Sequence, residues 1–260
     1  MGRLPCHWLV AIIFLFQLRA CDEYKDLEDD RLYRPERPIP SGLVSLRLIL
    51  TLAGLAGIAA IGLTLTITPI LLVPLALVWV WLGLMTAEFF VSDWLKARPF
   101  LYLVSHMAIM ALIDLYLTGA EWLPHGPFPP AGMWAFLALS TVNGCVLEIG
   151  RKTRAPASER AGVETYSSLL GSARSAQLWL AVCVLARLLL LTVGTMVGAP
   201  LTIGGLSFIL LIAMAANVLK FARKPTPDGQ KTIDNMAGIW VLACYVLAGF
   251  VPLLPEGLTA

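Results

Sequence analysis

Long apolar runs, broken at intervals by short polar stretches, dominate this chain. Residues 48 to 87 and 188 to 219 contain no charged side chain, and a hydrocarbon core about 30 Å thick needs roughly 20 apolar residues per helical span. The runs predict eight spans, near residues 5–20, 43–67, 69–91, 99–119, 129–149, 174–196, 200–221 and 232–253, with ends marked by Pro69, Pro99, Pro130 and Pro200. Barrel strands fit poorly, because they alternate apolar and polar residues in segments of about ten, and LILTLAGLAGIAAIGLTLTI shows no such alternation. Its small residues, among them Gly54, Gly57, Ala60 and Gly62, allow helices to approach closely. The expected fold is all-α, a polytopic membrane bundle of about eight transmembrane helices in a single domain over residues 1–260.

Composition agrees: 58% of the 260 residues are apolar, 14% are charged and the mean hydropathy is +0.78, values that exclude a soluble globular protein. A net charge of +2 says little; its placement says more. Segments 21–42, 92–98, 150–173 and 222–231, with the helix ends beside them, hold 17 of the 19 Lys and Arg residues. The positive-inside rule makes them cytoplasmic, with Arg3 outside and both termini facing away from the cytoplasm. The expected location is a cell membrane of the bacterial inner-membrane type, with the charged loops cytoplasmic. The start of the chain resembles a lipoprotein signal only superficially: Arg19 fits badly two residues before Cys21, so the segment reads as a short first helix. The five cysteines form no CxxC pair and no metal spacing, and read as unpaired, mostly buried thiols.

The two longest charged loops, 21–42 and 150–173, are where chemistry is expected. In the first, six acids fall within nine residues, Asp22, Glu23, Asp26, Glu28, Asp29 and Asp30, with Lys25 the one base among them. If the first helix continues, Asp22, Asp26 and Asp30 repeat at four-residue spacing and Glu23 sits three before Asp26, so one face carries a strip of carboxylates. Such a strip repels itself, and a divalent cation relieves the repulsion. Magnesium, usually held by one or two carboxylates with waters and substrate phosphates, suits it better than a closed protein cage does. The competing explanation is a solvated acidic loop.

After the strip, Arg31 to Gly42 reads RLYRPERPIPSG: three prolines end the helix, and Arg31, Arg34 and Arg37 bring cations beside the carboxylates. That order resembles the UbiA family of intramembrane prenyltransferases, whose first signature is an NDxxDxxxD helix followed by a segment close to RxxRPxRPIPSG. The alignment sets Asp22 at the asparagine and Glu23, Asp26 and Asp30 at the three acids. Asn is replaced by Asp and the first Asp by Glu, and both substitutes keep oxygen ligands. A second family signature, a DxxxD pair followed by a GxxT turn, is expected on the other long loop. There Glu148 is in place for the first acid, and Gly162, Thr165 and Leu169 to Gly171 resemble the end of the pattern. Glu159 stands one residue nearer the glycine than the family's second acid, and Arg151, Lys152 and Arg154 intervene. One explanation is that these bases replace part of a second metal's charge and contact phosphate oxygens directly; the other is that they serve topology alone. The acidic loops follow the first and fifth spans here, against the second and sixth in the family, so residue 1 onward aligns with the family minus its first helix.

The resemblance implies one UbiA-like prenyltransferase domain that moves a prenyl group from a prenyl diphosphate to a hydrophobic acceptor with Mg2+, inside a lipid bilayer and without nucleic acid. It implies metal ligation by Asp22, Glu23, Asp26, Asp30, Glu148 and Glu159, with Asp26, Asp30 and Glu148 at the centre of catalysis. Diphosphate contacts fall to Arg31, Lys96, Arg151 and Lys152. Lys96 stands where the family often has a base, with Glu88 as a possible structural counter-ion. His106, about two turns into its span, reads as a neutral, hydrogen-bonded side chain. Two rivals remain. A CDP-alcohol phosphotransferase would need DGxxAR before its aspartates, which Phe16 to Asp30 lacks. A non-catalytic or transport-type protein on a UbiA-like scaffold would carry acids within its spans as a cation path.

Overall fold

The computed structural model describes residues 4–160 and 162–254, with side chains from residue 6; Arg3, expected outside the cytoplasm, lies outside the described residues. Eleven α-helices and no strands occur among those described. They are α1 (Leu4–Lys25), α2 (Leu27–Tyr33), α3 (Leu46–Ile67), α4 (Leu72–Thr86), α5 (Ser92–Lys96), α6 (Pro99–Trp122), α7 (Ala131–Arg151), α8 (Tyr166–Leu170), α9 (Ser172–Met196), α10 (Pro200–Arg223) and α11 (Pro227–Phe250). Among the described residues seven segments are long and apolar enough to cross a membrane, beginning at Leu46, Pro69, Pro99, Ala131, Ser172, Pro200 and Pro227. They match the second to eighth expected spans. The first, α1, is helical but ends in its acidic residues. Large apolar side chains on the outer faces, such as Leu55 and Ile58 of α3 or Leu201 and Ile209 of α10, are exposed, as lipid-facing positions are.

The chain divides into two compact units, residues 1–129 and 130–260. In the first, α1 packs on α3 and α4 on α6. Val10, Phe14, Ala60, Leu75, Val78, Ile109, Ile113 and Tyr116 form its core. Polar groups here bond internally, since an unpaired one in hydrocarbon costs several kcal/mol: Thr64 Oγ1 and the Tyr116 hydroxyl are 2.7 Å apart. The Gln17 amide donates to the Ala53 carbonyl at 3.2 Å and accepts from Trp79 Nε1 at 3.0 Å.

Three boundaries differ from expectation by about five residues; the last span begins at Pro227 where 232 was expected. α1 runs past residue 20 to Lys25 because its acids keep helical register. The span expected to reach residue 91 stops at Thr86: Glu88, Phe89 and Phe90 turn left-handed, with φ of 49°, 52° and 60°, and the Phe89 ring meets Trp81 and His106 edge-on.

In the second unit α7, α9, α10 and α11 pack in sequence, with α11 returning to α7 around the fully buried Trp179 and Trp240. Gly150 makes the crossing possible, since a Cβ there would lie 2.8 Å from the Ala237 Cβ and 3.0 Å from Trp179 Nε1. All five cysteines are free, and Cys145, Cys183 and Cys244 are buried.

Candidate functional site

The acidic stretch keeps its register in the first unit. α1 yields to α2 at Asp26, yet the backbone bonds continue at four-residue spacing, from Asp26 N to the Asp22 carbonyl at 2.9 Å, Asp30 N to Asp26 at 2.8 Å and Arg34 N to Asp30 at 2.8 Å. Asp22, Asp26 and Asp30 therefore follow one another turn by turn. Glu23, nearly buried, pairs with Arg19 one turn earlier. Asp30 is 3% exposed; one carboxylate oxygen accepts from Arg37, the other lies 3.4 Å from Arg34 Nη1. The prolines direct those arginines back: the chain leaves α2 at Arg34 and turns through Pro35 to Gly42, whose φ of +80° suits a residue without a Cβ. Arg31 takes another direction, paired on the surface with Glu28 at 2.9 Å.

Asp22 borders a small cavity of about 10 Å³ with Leu18, Cys21, Lys25, Thr86 and His106, space for about one water. Cys21 and Leu82 also line an open groove of about 440 Å³ bounded by Gln17, Gly54, Gly57, Ile61 and Trp79. The groove is largely apolar and starts where the acids end. His106 behaves as expected of a hydrogen-bonded histidine: its Nδ1 lies 2.9 Å from the Tyr102 carbonyl, and its ring stacks on that of Tyr102 at 3.9 Å.

Lys25 was the base that sequence patterning left unassigned. Its ammonium donates to the Tyr102 hydroxyl at 2.6 Å and stands 3.6 Å from Glu88; Lys96, 3.8 Å from the same carboxylate, is half exposed. Lys25 lies beyond the apolar stretch of α1. Burial opposes its charge, but the Tyr102 hydrogen bond and the neighbouring Tyr102, Asp26 and Glu88 groups outweigh that, so its pKa stands above the ordinary lysine value.

In the second unit the helix ends at Arg151 and Lys152 follows as its cap. Glu148 is met by both, by the Arg151 guanidinium and by Lys152 Nζ at 2.9 Å, so the three share a face as their spacing predicts. Glu159 accepts from Thr165 Oγ1, 2.9 Å from each carboxylate oxygen. Thr165 also caps α8 in a reciprocal pair with Ser168. The loop is tied down further: Tyr166 N donates to the Lys152 carbonyl at 3.1 Å, Arg154 N to Ser167 Oγ at 2.7 Å and Ala155 N to Gln230 Oε1 at 3.0 Å. Gly162 has a φ of +76°, which accounts for a glycine there.

The oxygen donors suit a hard cation. Among the described residues, however, no three acidic, histidine or cysteine side chains converge on a point where an ion could sit. Arg19, Arg34 and Arg37 hold Glu23 and Asp30; Asp22 and Asp26 stand one helical turn apart in the same row.

A model of the UbiA prenyltransferase family matches residues 4–233 of the chain. No curated protein and no solved structure matches it.

Proposed function

Because the chain belongs to the UbiA prenyltransferase family, a family of membrane prenyltransferases, we propose that it moves a prenyl group from a prenyl diphosphate to a hydrophobic acceptor. The observation that carries this reading is the unbroken four-residue register of Asp22, Asp26 and Asp30, followed by the turn that brings Arg34 and Arg37 onto Asp30. Asp22, Glu23, Asp26 and Asp30 would hold magnesium on exchanging their present partners, which for Glu23 and Asp30 are arginines. Bound there, the ion would supply charge that screens the diphosphate and stabilises it as a leaving group.

The chain's own residues do the rest. The groove beside Cys21 and Leu82 receives the prenyl tail and excludes water from the carbon to be attacked. Lys96 contacts phosphate oxygens as a charge-assisted donor to a charge that grows as the C–O bond breaks; Arg151 and Lys152 are donors of the same kind within the second unit. The electron pair leaves with the diphosphate, and the acceptor's nucleophile closes on the allylic cation and loses its proton. Glu148 keeps Arg151 and Lys152 in place. Glu148 and Glu159 ligate a second ion only by giving up their present partners. The loops that carry these groups are read as cytoplasmic, from the distribution of Lys and Arg.

A second reading, a non-catalytic or transport-type protein on the same scaffold, is favoured by that engagement of Glu148 and Glu159. One assay separates the two. Purified protein given a mixed set of prenyl diphosphates and lipid-soluble acceptors should release diphosphate only with magnesium, and no release would leave the second reading standing.

A further inference from the structure

Glu88 belongs to neither acidic stretch, yet its surroundings are densely built. The carboxylate is 6% exposed. Its Oε1 lies 3.6 Å from Lys25 Nζ and 3.8 Å from Lys96 Nζ and accepts from the Tyr102 hydroxyl at 3.4 Å. That hydroxyl in turn accepts from Lys25 at 2.6 Å. The other carboxylate oxygen accepts from Ser92 Oγ at 3.2 Å. Elements far apart in the chain, the ends of α1 and α5 and the start of α6, thus meet on one side chain.

The backbone under this carboxylate is strained. Three successive residues with side chains, Glu88, Phe89 and Phe90, are left-handed, a conformation that persists only where the surroundings impose it. Phe89 supplies the restraint, with its ring 5.4 Å from Trp81 and 6.0 Å from His106, while His106 stacks on Tyr102. The turn therefore fixes where the carboxylate points.

The charge balance suggests why. A buried carboxylate needs a counter-ion and hydrogen bonds, and Lys25 with Tyr102 and Ser92 already provides them. Lys96 is a second ammonium on the same oxygen, and its side chain is half exposed where that of Lys25 is largely buried. Lys25 is three residues after Asp22 and immediately before Asp26, so the two ammonium groups lie at the edge of the acidic row.

We propose that Glu88 is a positioning residue that holds Lys25 and Lys96 as a pair of ammonium groups for the diphosphate of the substrate, which makes Lys25 a substrate ligand alongside Lys96. The proposal rests on the prenyltransferase reading above. Lysine is a compact, strongly charged phosphate partner, and tethering two through one fixed carboxylate removes the entropy that a flexible pair would lose on binding.

The test measures binding of farnesyl diphosphate, inorganic diphosphate and farnesol to the full chain in lipid nanodiscs at saturating magnesium. Glu88→Gln and Lys25→Gln should each weaken both diphosphate ligands by roughly tenfold, the loss expected for one charged contact, and leave farnesol unchanged. The double variant should be little weaker than either single one, because the two act as a unit, and Glu88→Asp should recover part of the loss. Wild-type affinity in Glu88→Gln, or additive losses in the double variant, overturns the proposal. If Glu88→Gln does not fold, Lys25→Gln decides, and unchanged diphosphate binding there overturns it equally. Wild-type protein that binds neither diphosphate ligand overturns this proposal and the prenyltransferase reading together. Wild-type protein that binds them while the variants match it overturns this proposal alone.

Discussion

The α1–α2 end of the first unit and the α7 end of the second use the same residue types to opposite effect. Between residues 22 and 30 six acids face one base; between 148 and 160 two acids face four bases. At the first end the acids stack turn upon turn, and cations from the flanking turns compensate Glu23 and Asp30. At the second, Glu148 is taken by the two bases that follow it, and Glu159 by a threonine. A row of like charges raises local potential, whereas adjacent pairs cancel it. The first end therefore concentrates negative charge, whereas at the second the bases outnumber the acids and two of them are held by Glu148.

Loss of an acid from the row should have the largest effect. Asp26→Ala should reduce magnesium-dependent binding of farnesyl diphosphate by more than about 100-fold, the scale of losing an ion together with its ligand contacts, and leave the protein folded. Asp30→Ala should also remove binding but should destabilise as well, by roughly 1.5–3 kcal/mol, because Arg34 and Arg37, themselves partly in solvent, lose charged hydrogen bonds to a buried partner. Titrating magnesium against binding, with thermal unfolding in parallel, separates the two. Full binding with unaltered magnesium dependence in Asp26→Ala would remove the distinction between the two ends.

Lys152→Gln should come next, with a different signature. If the second end serves phosphate directly, affinity should fall by about tenfold, and excess magnesium should not restore it. An unchanged affinity makes Lys152 a counter-ion of Glu148 alone. A loss that excess metal repairs returns Glu148 and Glu159 to the role of metal ligands.

How far each end was legible follows from the range of its interactions. The strip was readable because four-residue spacing is a local property of one helix, and the prolines of RPERPIPSG state where that helix stops. The spans were readable because lipid demands unbroken apolar length. Glu148 with Arg151 and Lys152 was also readable, being a contact within one turn. The pairing of Lys25 with Glu88 and Tyr102 was not. A lone base among six acids reads as their neighbour, and only the packing of α1 against α4 and α6 brings Glu88 within reach. The left-handed turn at Glu88 to Phe90 had no glycine or asparagine to announce it; aromatic packing of Phe89 imposes it against local preference. The role of Glu159 was hidden similarly: its partner Thr165 was visible as the end of a family pattern, but not as the hydroxyl that would occupy the carboxylate.

Thr165→Ala should act mainly on stability. It removes the cap of α8 and the hydroxyl that Glu159 accepts from, a loss of about 1 kcal/mol for a capping residue, measurable as a lowered unfolding midpoint. Magnesium dependence should stay as in the wild type, because Glu159 in this structure organises its loop. A changed magnesium midpoint would show that releasing Glu159 alters an ion site and would make the two ends more alike.

Arg31→Gln should have the smallest effect, which makes it the finest probe of the first end. Three arginines follow the strip, but only Arg34 and Arg37 reach Asp30; Arg31 pairs with Glu28 on the surface, with more than half of its own side chain and most of its partner's in solvent. Exposed pairs at this spacing contribute about 0.3–0.5 kcal/mol and are screened by salt. Stability should therefore change by less than about 0.5 kcal/mol, and diphosphate affinity by less than about threefold, the ratio that corresponds to that energy. The resemblance assigns Arg31 to the substrate, so the measurement discriminates. A tenfold loss of affinity without loss of stability would mean that Arg31 leaves Glu28 for the diphosphate on binding, and the row would then gather its anion from its own flank as well as its cation.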